Sequence, residues 1–301
     1  MYALRDDNHD GRADSVRVIA SGLRVPLGVA FRNGALYVSA IDRILRYDAI
    51  ESKLDAPPTP VVIVNDLPHD GHHGGRYLAF GPDGKLYVPI GAPCNVCDRP
   101  GYAKLTRMNA DGSAREDVAL GIRNTVGFAW DPLTQHLWFT DNGRDLLGDD
   151  VPSDELNVAS KPKQHFGFPY CHQGDVLDPD FGKGKSCGDY TPPAARLGAH
   201  VAALGIAFYT GKMFPAAYRN NVFIAEHGSW NRSSKSGYRV VRGEIKGDRV
   251  GRITPFLTGF LDGQDTLGRP VALTVAPDGA LLVSDDFQGA IYRIAYTGGS
   301  R

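Results

Sequence analysis

The chain has 301 residues, with 33 Lys+Arg against 34 Asp+Glu and a formal charge of -1. That balance excludes the basic field expected of a nucleic-acid binder and the acidic tail of a disordered partner, so a small neutral or weakly charged ligand is expected. The 36 glycines and 20 prolines favour turns over long helices, and no run approaches the ~20 apolar residues of a membrane span.

Residues 2–23, YALRDDNHDGRADSVRVIASGL, read as a strand, a turn and an outer strand, and the opening lacks the basic-then-apolar order of an export signal. Asp6, Asn8, Asp10, Gly11 and Asp14 resemble the front of a calcium loop, but Arg17 stands where a bidentate glutamate would close it. A polar hairpin turn is the expectation. Five similar units follow: PLGVAFRNGALYVSAIDRILRYD, GRYLAFGPDGKLYVPIG, VGFAWDPLTQHLWFTDNG, LGIAFYTGKMFPAAYRNNVFIAEHG and PVALTVAPDGALLVSDDFQGAIYRIAY. Each is a short strand, a Gly/Asp/Pro/Asn turn and a second strand. Their anchors, Phe31, Phe80, Trp130, Phe208 and Val275, are 49, 50, 78 and 67 residues apart. Periods of roughly 40–50 with several strands per unit mark an all-β β-propeller. A single propeller domain over 1–301 is expected, with a loop insertion at about 141–200 that shows little strand pattern and is a natural place for binding groups.

The candidate chemistry gathers at the ends of these units. His72 and His73 precede an inner strand, where loops line one mouth of a propeller channel; an imidazole there suits a general base, and a surface pair in a Gly-rich turn is the competing reading. Arg123-Asn124 and Arg269 hold the equivalent place in later units, while His227, Trp230 and Arg232 follow an inner strand. A recurrence of cationic and amide groups at one end suits a planar ligand bearing carboxylates. The loop DNGRDLLGDDVPSDELN, residues 141–157, is dense in carboxylates and is read either as a calcium site or as a solvated acidic loop. Cys94/Cys97 and Cys171/Cys187 form two local pairs that fit two disulfides and an oxidising compartment, with free thiols or a two-plus-two zinc site as alternatives. Nucleophile elbow, phosphate loop and dinucleotide fingerprint are all missing, which disfavours nucleotide chemistry.

Taken together, GHHGGRYLAFGPDGKLYVPIGAPCNVC, GIRNTVGFAWDP, DNGRDLLGDDVPSDELN, HFGFPYCHQG, AEHGSWNRS and GRPVALTVAPDG with DDFQGAIYRI resemble the soluble quinoprotein sugar dehydrogenases, the glucose/sorbosone dehydrogenase family, and most of all its sorbosone and pyranose branch. The motifs keep the family's order and cover nearly the whole chain. The resemblance implies a six-bladed propeller that binds pyrroloquinoline quinone with calcium (Ca2+) at the channel mouth. It implies His72 as the base that takes the hydroxyl proton while hydride passes to the quinone. Arg123 would lie against the quinone oxygens, with Asn124, Asn95, His227, Trp230, Arg232 and Arg269 around the cofactor. The carbonyls of Gly143 and Arg144 would ligate its calcium, and Asp154 and Glu155 a second, structural one. A disulfide between Cys94 and Cys97 would place Asn95 near the quinone.

A lysine of the glucose-specific branch has no counterpart here, so the sugar is left open. Against the family's six blades the chain begins at the end of blade one, which predicts either a chain lacking the start of that blade or a five-bladed variant. The expected setting is periplasmic or secreted, with a sugar substrate and a cytochrome or quinone as electron acceptor. Two rival functions are a calcium-dependent lactone hydrolase on a similar scaffold and a non-catalytic propeller that binds a glycan or a protein.

Overall fold

The computed structural model describes residues 1–298. It is all-β, with three one-turn 3-10 helices as the helical content. Five antiparallel blades follow one another along the chain. The first holds Val29–Arg32, Ala35–Ser39, Ile44–Tyr47 and Val61–Val64. The second holds Ala79–Phe80, Leu86–Ile90, Lys104–Met108 and Glu116–Leu120, with Gln164–His165 added in parallel at its edge. In the third, Phe128–Trp130 and Leu137–Asp141 are completed by Ser153–Ala159 and Ala195–Ala199. The fourth comprises Ala203–Phe208, Val222–Glu226, Arg239–Lys246 and Arg249–Leu257. The fifth has three strands, Pro270–Val275, Leu281–Asp285 and Ala290–Ile294. All five sequence anchors lie on the first strand of their blade.

The expected hairpin near the start is also present. Tyr2–Arg5 pairs with Ser15–Val18, and the acidic turn between them spends its carboxylates on its own amides: Asp14 accepts from the Asp7 and Asn8 N–H groups and Asp6 from Gly11. This two-stranded unit packs on the first blade through Ile19, Val38, Leu45 and Tyr47. Its Gly11 lies beside Arg293 of the fifth blade. The sixth four-stranded blade implied by the resemblance is not among the described residues; the hairpin lies between the fifth and first blades instead.

The core is a series of face-to-face sheet contacts. Leu86, Val88 and Met108 pack on Ile44 and Tyr37 between the first two blades. Phe128 and Phe139 meet Tyr87 and Leu105 between the next two. Trp138 and Leu156 then meet Ile206 and Ile224, and Phe223 meets Leu273 and Val283. Middle strands are therefore covered on both faces and read as apolar runs such as LYVPI and VFIAE, both wholly buried.

The repeat GVAF, GFAW, GIAF has a steric cause. A Cβ on Gly28 would lie 2.1 Å from the Arg76 carbonyl oxygen, one on Gly127 2.3 Å from that of Leu204, and one on Gly205 2.4 Å from that of Val271. Each contact is with backbone of the next blade, so the missing side chain sets how closely inner strands approach. Hydroxyls fasten the same seams: Ser39 Oγ donates to the Arg76 carbonyl at 2.5 Å and Thr140 Oγ1 to that of Leu204 at 2.6 Å.

The stretch expected to be a loop insertion departs from the sequence reading. It contributes Ser153–Ala159 and Ala195–Ala199, the outer half of the third blade. The strand SDELNVA escapes a period-two reading because its polar side chains Ser153, Asp154, Glu155 and Asn157 are all buried, held by neighbouring amides and side chains except at Asn157 Oδ1, which has no partner among the described residues.

Gly127→Ala should lower unfolding free energy by about 2–3 kcal/mol in urea titration, because the obstacle is backbone. Gly71→Ala, with open space around the added carbon, should change it by less than about 0.5 kcal/mol.

Candidate active site

In an antiparallel blade the loop entering the first strand and the loop leaving the second lie at the same end. His72-His73, Arg123-Asn124 and His200–Ala202 enter first strands, while Asn142–Asp145 and His227–Asn231 leave second strands. They meet in a cavity of about 230 Å³ lined by His72, His73, Arg123, Asn124, Asn142, Gly143, Asp145, Asp154, His200, Trp230 and Asn231.

Asp141, at the end of its strand, builds the first part of this mouth. Its carboxylate accepts the Arg123 N–H at 2.9 Å and the Asn124 N–H at 2.6 Å. Asp285 does the same for Arg269 at 3.0 Å in the fifth blade. Asp154 continues the scheme, accepting from the Gly143 N–H at 2.8 Å and the Ala202 N–H at 2.7 Å, which binds two more entering and leaving loops together. Burial pushes the Asp141 carboxyl up and that of Asp154 up to about 6, against the pull of these amides.

Arg123 is 3% exposed, and all five of its N–H donors are taken by the chain. Nε donates to the Asn95 carbonyl at 2.7 Å, and Nη1 to the carbonyls of Asn142 at 3.2 Å and Gly143 at 2.7 Å. Nη2 reaches Asn95 Oδ1 at 2.9 Å and Asp145 Oδ2 at 2.8 Å. Burial lowers the pKa of the guanidinium, and Asp145 and Asp141 oppose that shift. Asp145 in turn accepts from Asn231 Nδ2 at 3.0 Å, and the ring of His200 is fixed by the Gly148 carbonyl at 2.8 Å.

The two histidines differ. His73 sits at φ 49°, an uncommon place for a side-chain-bearing residue, and its Nδ1 bonds the Ala92 carbonyl at 2.8 Å. Burial, with Arg123 and His72 adding to it, drops its pKa to about 2, so the ring is neutral. His72 stacks edge-on against it, with ring centroids 4.0 Å apart. Partial burial and then the charge of Arg123 lower the His72 pKa below 6.5. That shift favours the neutral imidazole, which lines the cavity wall.

Other residues singled out from sequence are engaged elsewhere. Asn95 does not line the cavity; it holds Arg123 and Asp145. His227 pairs with Asp286 at 2.9 Å. Arg269 donates to the carbonyls of His227 and Gly228, and Arg232 to those of Asp149 and Ser234. The ring of free cations expected at the mouth is thus largely consumed by loop carbonyls, because a guanidinium near unpaired backbone oxygens satisfies them. Trp230 remains open at the cavity, 69% exposed, and the side-chain amide of Asn124 has no partner among the described residues. Asp145, His200 and Asn142 join the site without having been singled out; Asp145 and Asn142 lay inside a loop read for calcium, and His200 inside the presumed insertion.

The expected calcium ligands divide. The Gly143 carbonyl faces the cation of Arg123, which does not suit a cofactor calcium at that oxygen, while the Arg144 side chain pairs with buried Asp178. Asp154 is committed to two amides. Glu155 is directly across the ladder from Asp141, burial raises the pKa of both, and the neighbouring Asn157 Oδ1 is buried without a partner. A hard cation there would share Asp141 with the two amides it already holds and Glu155 with the Gln173 N–H and Asn157 Nδ2. Three His, Cys, Asp or Glu side chains around one point occur nowhere among the described residues. The cysteines are paired as Cys94–Cys97 and Cys171–Cys187.

The chain belongs to the family described as DUF7133, a domain of unknown function, over residues 1–294. An uncharacterized protein of Borreliella burgdorferi is 37% identical over 296 residues, covering 93% of this chain and 78% of that protein. The aldose sugar dehydrogenase YliI of Escherichia coli (strain K12) is 25% identical over 248 residues, 75% of this chain and 60% of that protein. Among solved structures, the holo form of the pyranose dehydrogenase PQQ domain from Coprinopsis cinerea superposes with a TM-score of 0.80 at 20% identity, covering 98% of this chain and 87% of that one. That likeness shows the shared fold.

Asp145→Ala leaves a buried guanidinium one acceptor short, and it should cost about 2–4 kcal/mol in urea unfolding.

Proposed function

We propose that the protein is a quinoprotein oxidoreductase that oxidises a pyranose or other aldose sugar, with pyrroloquinoline quinone at the channel mouth and His72 as general base. The observation that carries this reading is a neutral imidazole and a fully clamped guanidinium sharing one cavity, in a chain related to an aldose sugar dehydrogenase. An open indole face at Trp230 and the unbonded amide of Asn124 suit a planar polar cofactor; its carboxylates would draw on Asn124 and on the positive edge of Arg123. When bound, the quinone supplies a two-electron acceptor for hydride. His72 takes the substrate hydroxyl proton, and its lowered pKa keeps it unprotonated at neutral pH. Arg123 keeps a fixed positive charge where reduction adds negative charge, without reorganising.

Calcium enters this reading at Glu155, Asp141 and Asn157, where a cation would neutralise two buried carboxyls behind the Arg123-Asn124 turn. Its work there is structural. The lactone hydrolase alternative is disfavoured because the cavity carboxylates are occupied: Asp145 by Arg123 and Asn231, Asp154 by two amides. Two disulfides support a periplasmic or secreted setting, with a cytochrome or quinone as the electron acceptor.

Reconstitution with pyrroloquinoline quinone, followed by dye reduction across a panel of aldoses, should give turnover; no binding in calorimetry and no turnover would refute the reading. His72→Ala should lower kcat by roughly 10²–10⁴ while cofactor affinity stays within about threefold. In wild type kcat/KM should fall as pH drops through a midpoint below 6.5, since protonation removes the base. Saturating calcium should raise Tm by about 3–6 °C, and Glu155→Gln should abolish that rise.

A further inference from the structure

We propose that the loop closed by the Cys94–Cys97 disulfide is a thiol-sensitive clamp on the Arg123 guanidinium, with Asn95 as its positioning residue. Asn95 alone makes four of the hydrogen bonds that order this wall of the cavity. Its carbonyl accepts Arg123 Nε at 2.7 Å and its Oδ1 accepts Arg123 Nη2 at 2.9 Å. The same Oδ1 accepts the Asp145 N–H at 2.8 Å, and Nδ2 donates to the Asp145 carbonyl at 3.1 Å. Asn95 therefore grips both members of the Arg123–Asp145 ion pair, on the guanidinium and on the main chain of its counter-ion.

What holds Asn95 is the disulfide. Upstream, the segment is anchored where the Ala92 N–H donates to the Arg123 carbonyl at 2.8 Å and the Ala92 carbonyl meets the His73 ring. From Pro93 to Asp98 no main-chain ladder bond occurs among the described residues. Covalent closure across Cys94 and Cys97 restricts these residues in its place. Cys94 and Cys97 are both half-buried, whereas in the other pair only Cys187 is and Cys171 is buried, so Cys94–Cys97 offers a dithiol two open sulfurs against one. In that reaction two electrons and two protons pass from the dithiol to the disulfide. The Cys94–Cys97 bond breaks to two thiols, and the reagent closes to its own disulfide.

Once opened, the loop lets Asn95 leave and the guanidinium loses two acceptors while staying buried. The electrostatic effect on His72 and on a bound quinone changes with it. The effect on the quinone rests on the functional reading above; the clamp itself does not.

The test uses nitrogen–proton spectra of the whole chain, with the Arg123 Nε–H signal assigned by its loss in Arg123→Lys. Mild dithiothreitol treatment, Cys94→Ser/Cys97→Ser and Asn95→Ala should each move that signal and speed its hydrogen exchange at least tenfold. Each should also shift the His72 titration midpoint and weaken pyrroloquinoline quinone binding roughly tenfold in calorimetry. A disulfide that only stabilises the fold would lower Tm and leave the Arg123 and His72 signals in place. An Arg123 signal unchanged by reduction overturns the proposal, as does one moved by Asn95→Ala alone. If circular dichroism shows the double serine variant unfolded, reduction and Asn95→Ala decide. Absence of quinone binding by the oxidised wild type overturns the functional reading, while the spectra still decide the clamp.

Discussion

The buried guanidinium of Arg123 is hydrogen bonded on all five of its N–H donors, and meeting that demand orders much of the channel mouth. Its acceptors come from two separate loops, at Asn95 and at Asn142 to Asp145. Its own main chain is held by Asp141 and by Ala92. Loops that share no secondary structure are thereby fixed relative to one another. Burying a cation without these acceptors is costly, so each acceptor removed weakens the whole arrangement.

That unit stands on a scaffold set by much shorter-range forces. Inner strands approach so closely at Gly28, Gly127 and Gly205 that a methyl group would strike the neighbouring backbone. Ser39 and Thr140 then bond across the same seams. Because entering and leaving loops fall at one end of each blade, tight seams translate into a small mouth, and His72, Asn124, Gly143 and Trp230 arrive within one cavity.

The acids behind the mouth follow the same logic. Asp141 and Asp154 spend their oxygens on loop amides and so act as braces, at the expense of raised pKa values. Glu155 accepts the Gln173 N–H and Asn157 Nδ2, and burial beside Asp141 still raises its pKa; together with the orphaned oxygen of Asn157 these two acids are the place proposed for a hard cation. Charge at the site is thus arranged in layers, with an imidazole at the wall, a buried cation beside it and acids beneath.

The sequence by itself determined the blades: spaced anchors and turn residues are local signals, and all five anchors lie on first strands. It also placed His72 and Arg123-Asn124 before inner strands, and the structure brings them into one cavity. Local pattern could not show Ser153–Ala159 as a strand, because its polar side chains are buried and those of Ser153, Asp154 and Glu155 accept from amides far away in the chain. Nor could it show that Arg269, Arg232 and Asn95 are spent on protein partners, or that Arg123 faces the Gly143 carbonyl expected to hold a metal. Whether a polar side chain is free or consumed depends on which acceptors the fold brings within about 3 Å, and only the tertiary structure decided that.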